Sequence, residues 1–266
     1  MIISDKHQFV FIHIPKCAGS TVKAANRKLS DTHFFSGEIT HPELGKIEWP
    51  VPTHMPLWAL ADYYPEVFSK IKAYKAFAVV RDPFERFGSA IMQYGREFRG
   101  LTSAELTNEK FAELCREVIA WLKDNQVGLN PHYIHFTPQA DYILLGEDRV
   151  VEELCIAGNF APLNKFLREH ELNPVPEKEA QNSSVTPSNP VIALIINKSK
   201  PLYQSYLSPQ VKKNAWRLLI KFGLFQPSMK RYSVLREDAD IAAFIEEYYA
   251  RDFPLYRETV ARLEAA

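Results

Sequence analysis

An α/β fold with a central, mostly parallel sheet flanked by helices is what this sequence predicts, and three features predict it. Gln8 to Ile14 (QFVFIHI) and Tyr74 to Arg81 (YKAFAVVR) are short runs of β-branched and aromatic residues, the composition of strands buried on both faces. Each run passes through a few loop residues straight into a helical pattern, which is half of a βαβ unit. Helical patterns dominate beyond residue 190, which predicts a helical C-terminal cover over a single domain spanning 1–266, its helical subregion covering about 190–266.

The first junction is Pro15, Lys16, Cys17, Ala18 and Gly19, after which Ser20 to Leu29 reads as a helix. At the second, Asp82 is placed to cap a helix, Pro83 takes its first position and Glu85 completes a capping box. Arg86, four residues after Asp82, is assigned to intrahelical pairing, and the helix is expected to run to about Arg96. Phe111, Leu114, Cys115, Val118, Ile119 and Leu122 fall at helical spacing and predict a helix over Asn108 to Asp124. Asp141 to Leu145 reads as a third strand ending at Gly146, Asn159 to Leu172 as a helix, and Asn173 to Pro190 as a loop and the best internal boundary. Ser208 and Pro209 open a helix that Gly223 closes, and another covers Ala239 to Tyr249 before Pro254 interrupts the pattern.

Composition narrows the function classes. Among 266 residues, 46% are apolar and 24% charged, which excludes a disordered chain. The 32 basic residues are balanced by 32 acidic ones, so no global positive field exists to hold nucleic acid, and any anion site must be local. Between Ala180 and Arg236, however, nine Lys and Arg residues stand with no Asp or Glu. Lys213, Arg217 and Lys221 recur every four residues there, either as a solvated helix face or as a wall that receives an anion. Cys17, Cys115 and Cys155 are too few and too scattered for a disulfide framework or a Cys-rich zinc site. With no apolar run near the ~18 residues a membrane span needs, the expectation is a cytoplasmic protein.

Chemistry concentrates in Phe11 to Thr21 (FIHIPKCAGST). A loop that ends at a helix start points several backbone N–H groups at one place, and the helix dipole adds positive potential, so a phosphate or sulfate belongs there. Ser20 and Thr21 add hydroxyl donors, Lys16 adds a mobile charge, and Gly19 admits close backbone approach. The loop is not a Walker A motif, because Lys16 precedes Gly19 by three positions rather than following a glycine beside Ser or Thr. In Arg81 to Ser89 (RDPFERFGS), Arg81 lies at a strand's carboxyl end, where open α/β sheets bind ligands, and Ser89 lies two turns into the following helix.

Together these segments resemble the PAPS-dependent sulfotransferases, and most closely the carbohydrate (family 2 type) branch. The resemblance implies a P-loop-type sulfotransferase fold. It also implies that Lys16, Cys17, Ala18, Gly19, Ser20 and Thr21 surround the 5′-phosphosulfate of 3′-phosphoadenosine 5′-phosphosulfate, and that Arg81 and Ser89 bind its 3′-phosphate. THMPLW at Thr53 to Trp58 resembles the His-x-Pro stretch after which such enzymes place a catalytic base, which assigns that role to His54; Lys16, whose mobile charge can follow charge building up on a leaving oxygen, has the other catalytic role. The implied reaction is metal-free in-line sulfuryl transfer to an acceptor hydroxyl on a carbohydrate, releasing PAP, and the basic segment favours an anionic acceptor. Pro138 to Ile143 and Tyr248 to Tyr256 resemble further stretches of that branch and report fold rather than chemistry. The missing anchor departs from the topology of animal carbohydrate sulfotransferases, so a bacterial enzyme is expected.

Two other readings stay open on the residues alone. One is a P-loop kinase using ATP and Mg²⁺; the other is a non-catalytic module that binds an anionic glycan or a nucleotide. His132 and His135 have no acidic or Cys partner at ligand spacing, so no metal site is expected, and one of them is a candidate for an acceptor pocket. His13 is expected to be a satisfied core or edge group. Asp238 and Asp240 are read as helix-start residues.

Overall fold

The computed structural model describes residues 1–26, 38–102, 105–176, 185–187, 225–227 and 232–265. In chain order, strands β1 (Ile2–Ser4) and β2 (Phe9–Ile12) precede helix α1 (Gly19–Asn26), the antiparallel pair β3 (Ile39–His41) and β4 (Gly45–Ile47), and a 3-10 turn at Val51–His54. Helices α2 (Leu57–Tyr63) and α3 (Pro65–Ala73) lead into β5 (Lys75–Val80), and α4 (Pro83–Phe98) and α5 (Asn108–Asp124) follow it. Two 3-10 turns, Ile134–Phe136 and Gln139–Tyr142, come before the short pair β6 (Leu144–Leu145) and β7 (Asp148–Arg149), then β8 (Glu153–Ile156) and α6 (Ala161–Glu169). β9 (Val185–Pro187) pairs antiparallel with β10 (Phe225–Pro227), and α7 (Tyr232–Glu237), α8 (Ala239–Tyr248) and α9 (Asp252–Glu264) complete the description.

The central sheet has the order β1-β2-β5-β8. β1 lies antiparallel to β2, whereas β2, β5 and β8 run parallel, with Phe11 beside Phe77 and Val80 beside Ile156. Every residue of β2 is buried, as are the last five of β5, which is why these strands read as continuous apolar runs rather than alternating ones. Parallel strands end on the same edge, so the loops after Ile12 and Val80 leave the sheet side by side.

Two apolar clusters fill the interior. One surrounds the sheet and includes Phe9, Phe11, Phe77, Val79 and Leu154; the other joins α4, α5, α7 and α8 through Phe87, Phe111, Val118, Leu235, Ile245 and Tyr249. α9 packs on β8, where Arg262 donates to the Leu154 carbonyl at 2.7 Å. Among the described residues, the C-terminal helices pack on α4 (α7 and α8) and on β8 (α9). Among the described residues no helix is long and apolar enough to cross a membrane.

The capping residues do what their spacing predicts. Asp82 accepts from the Glu85 amide at 3.1 Å with Pro83 at the first helical position, and Asp238 accepts from the Ile241 amide at 3.2 Å. Other expectations need correction. Residues 141–145 form the end of a 3-10 turn and a two-residue strand instead of a sheet strand, because Leu144 and Leu145 fold back on Asp148 and Arg149 around Gly146. The sheet strand is β8, too short and too mixed to show as an apolar run. Pro254 does not interrupt the helical pattern but sits in the first turn of α9, where the missing N–H costs nothing. Residues 185–187 and 225–227 are strand, where a loop and a helical subregion were expected. The expected helix from Pro209 to Gly223, with Lys213, Arg217 and Lys221, lies outside the described residues.

Candidate active site

The loop after β2 is held in an uncommon backbone conformation. Lys16 and Ala18 have φ of 65° and 60°, in the left-handed region that costs a side-chain-bearing residue roughly 1–2 kcal/mol each. Left-handed residues turn neighbouring amides toward a common point, which makes a concavity suited to an anion. The Thr21 amide donates to the Ala18 carbonyl at 3.0 Å and starts α1. A Cβ at Gly19 would collide with the His13 imidazole, so only glycine lets the helix start this close to the end of β2.

Lys16 and Arg81, 65 residues apart in sequence, meet here. The Arg81 guanidinium donates through Nη1 to the Lys16 carbonyl at 3.4 Å and through Nε to Glu85 at 3.1 Å. Lys16 Nζ donates to Gln93 Oε1 at 2.6 Å, and Gln93 Nε2 donates on to Glu97 at 2.8 Å. Ser89 is one helical turn before Gln93, so it shares the face of α4 that receives Lys16. Burial lowers the Lys16 ammonium to about 8, with Arg96 as the next cause.

Cys17 contributes main chain rather than thiol to the loop. Its side chain is buried and donates to Gln139 Oε1 at 3.2 Å, and burial pushes the thiol up to about 12. Ser20 is exposed, and Thr21 and Ala18 are half-buried at the rim.

His54, on its 3-10 turn, lies at the base of the same loop. Its Nδ1 is 2.9 Å from the His13 carbonyl, and since a carbonyl only accepts, Nδ1 carries the proton and Nε2 the lone pair. Tyr142 fixes the turn by donating to the His54 carbonyl at 2.9 Å. The His54 ring centroid is 4.5 Å from that of His13 and 5.2 Å from that of His135. Burial holds all three imidazoles below their ordinary value. For His54 the next cause is His135; His135 itself is lowered to about 3 by burial and then by Lys16 and Arg86. Three neutral rings therefore line the base of the loop at neutral pH.

Sequence reasoning placed Arg86 and His13 wrongly. Arg86 does not pair along its helix: it is fully buried and donates to the carbonyls of His135 at 3.2 Å and Thr137 at 2.9 Å, with Asp252 at 3.9 Å and the Tyr249 ring beneath it. The residue that pairs along α4 is Arg81, with Glu85, while Asp82 faces Arg236 at 3.4 Å. His13 is not satisfied either, because its buried Nδ1 has no hydrogen-bond partner among the described residues. His132 stacks on Phe98, whereas His135 lies against His54. Gln93 and Gln139 were missed as site residues, the PQADYI stretch that contains Gln139 having been read as fold; of the two histidines offered for an acceptor pocket, His135 is the one beside His54. Among the described residues, no group of His, Cys, Asp and Glu is placed to hold a metal ion.

No curated protein and no solved structure matches the chain. The model of the sulfotransferase family matches residues 1–143, a span that holds Lys16, His54, Arg81 and Ser89 and exceeds half the chain. With a parallel-sheet α/β architecture whose two strand ends converge on one anion-suited loop, the chain belongs to the sulfotransferase family, whose members are transferases that move sulfuryl groups.

Proposed function

We propose that this protein transfers the sulfuryl group of PAPS to an acceptor hydroxyl, on a carbohydrate, through a single P-loop-type sulfotransferase domain. The observation that carries the reading is the meeting of Arg81 with the Lys16 carbonyl, since one nucleotide spanning both motifs needs their strand ends adjacent. The site also fits such a ligand chemically: left-handed main chain at Lys16 and Ala18, glycine where α1 starts against His13, and the Arg81 guanidinium against the loop's main chain.

In this reading the amides of residues 17–20, with the hydroxyls of Ser20 and Thr21, hold the 5′-phosphosulfate. Arg81 and Ser89 hold the 3′-phosphate, and charge-assisted hydrogen bonds worth ~1.5–3 kcal/mol each supply the preference over a nucleotide lacking it. The Nε2 of His54 takes the proton of the acceptor hydroxyl as its oxygen bonds to sulfur. The breaking S–O bond leaves its electron pair on the nucleotide phosphate, and Lys16 leaves Gln93 to stabilise that charge. The His13 carbonyl keeps His54 in the tautomer this step needs. A carbohydrate acceptor rests on the resemblance of HIPKCAGST and RDPFERFGS to the carbohydrate branch.

Incubation with radiolabelled PAPS and a panel of glycan acceptors tests the proposal. Label transferred to a glycan without added metal is expected. Stabilisation by ATP with Mg²⁺ but not by PAP, together with no sulfate transfer, would replace it with the kinase reading.

A further inference from the structure

Gln139 occupies a position that the reaction itself does not explain. It is fully buried, and its side-chain amide is hydrogen-bonded to three other segments of the chain. Oε1 accepts from the Arg81 amide at 2.9 Å and the Cys17 thiol at 3.2 Å, while Nε2 donates to the Arg81 carbonyl at 2.9 Å and to Asp252 at 3.3 Å. The orientation of the amide is fixed, because only oxygen can face an N–H and only nitrogen can face a carbonyl and a carboxylate. Arg81 is the first residue beyond β5, so the paired bonds to its N–H and C=O extend the strand by one side-chain rung. Asp252, at the start of α9, secures the turn from the other side by accepting from the Gln139 amide at 2.9 Å and the Ala140 amide at 2.9 Å.

We infer that Gln139 is a positioning residue that sets the two nucleotide-binding segments in register, one amide group holding the Arg81 main chain and the side chain of Cys17 at a fixed separation. This rests on the nucleotide reading for its functional consequence, but not for its structural one. Gln139 holds the main chain of Arg81, whose guanidinium donates to the Lys16 carbonyl, and Lys16 directly precedes the residue whose thiol Gln139 accepts from. The protonated state of Cys17 suits the contact, since a thiolate could not donate to Oε1.

The test compares wild type with Gln139→Met, which keeps the bulk and removes the four side-chain hydrogen bonds, and with Cys17→Ala, which removes one bond and leaves Gln139 in place. Hydrogen exchange without nucleotide should be faster over residues 14–20 and 79–83 in Gln139→Met, while the α5 core stays protected. By calorimetry, Gln139→Met should weaken PAP by about tenfold or more and adenosine 5′-phosphate much less. In an Arg81→Ala background it should weaken both equally. Cys17→Ala should show the same PAP-selective loss at smaller size, which keeps the inference testable if Gln139→Met does not fold. Unchanged exchange at both segments, or equal loss of the two nucleotides in the single variant, overturns it. Wild type that binds no PAP rejects the nucleotide reading instead, and the exchange comparison then decides the positioning role by itself.

Discussion

Arg81 Nη1 donates to the main-chain carbonyl of Lys16 at 3.4 Å, joining two sequence segments that each follow a parallel strand. The contact places a guanidinium against the backbone of the loop whose side chain is the other cation of the site. Burial first and Arg96 next lower the Lys16 ammonium, with Arg81 adding a smaller contribution in the same direction, so an anion bound at this sheet edge would favour the charged form.

Replacing Lys16 with alanine is expected to lower sulfuryl transfer by at least ~10²-fold while circular dichroism and melting remain those of the wild type. Lys16 is partly exposed and, among the described residues, its side chain donates to Gln93 alone, so the fold does not depend on it. Wild-type turnover in this variant would remove Lys16 from the reaction.

Nucleotide affinity should depend on pH through the same group. The ammonium is held at about 8 in the free protein, so above that pH it is neutral and its attraction for a phosphosulfate is lost. PAP titrations should show weakening from pH 7 to pH 9, with proton uptake on binding near pH 8. In Lys16→Met the slope should flatten.

His54→Gln retains an amide that can donate to the His13 carbonyl but lacks a basic nitrogen, and turnover should fall ~10²–10⁴-fold with PAP binding kept. Because burial and His135 keep His54 neutral well below its ordinary value, the acid limb of the wild-type rate profile should lie below pH 6.5. A limb at or above 6.5 would indicate a different base.

The imidazole cluster should also govern acid stability. His135 titrates at 6.5 when unfolded and at about 3 when folded, so between these values the unfolded chain binds more protons and stability falls as pH falls. His13 and His54 act in the same direction. Melting temperature should drop progressively below pH 6.5, and His135→Gln should reduce the drop.

Local chemistry made parts of this molecule legible from sequence. β2 and β5 announced themselves because a strand buried on both faces must be apolar throughout, and α4 and α5 because Asp82, Pro83 and the Phe111 to Leu122 spacing act within a few residues of themselves. What was missed depends on partners far along the chain. Arg86 looks like a helix-surface cation, yet the carbonyls of His135 and Thr137 and the carboxylate of Asp252 bury it. The stretch around Gln139 showed only as a report of fold, since the four side-chain hydrogen bonds that give Gln139 its role go to residues 17, 81 and 252. β8 gained its place from pairing with β5, not from its own composition.

The claim that one nucleotide bridges Lys16 and Arg81 is tested most directly by calorimetric binding of PAP and of adenosine 5′-phosphate to wild type and Arg81→Ala. The account predicts that wild type prefers PAP and that the variant loses most of this preference while holding adenosine 5′-phosphate nearly as before. Equal losses for both nucleotides, or no preference in the wild type, would contradict it.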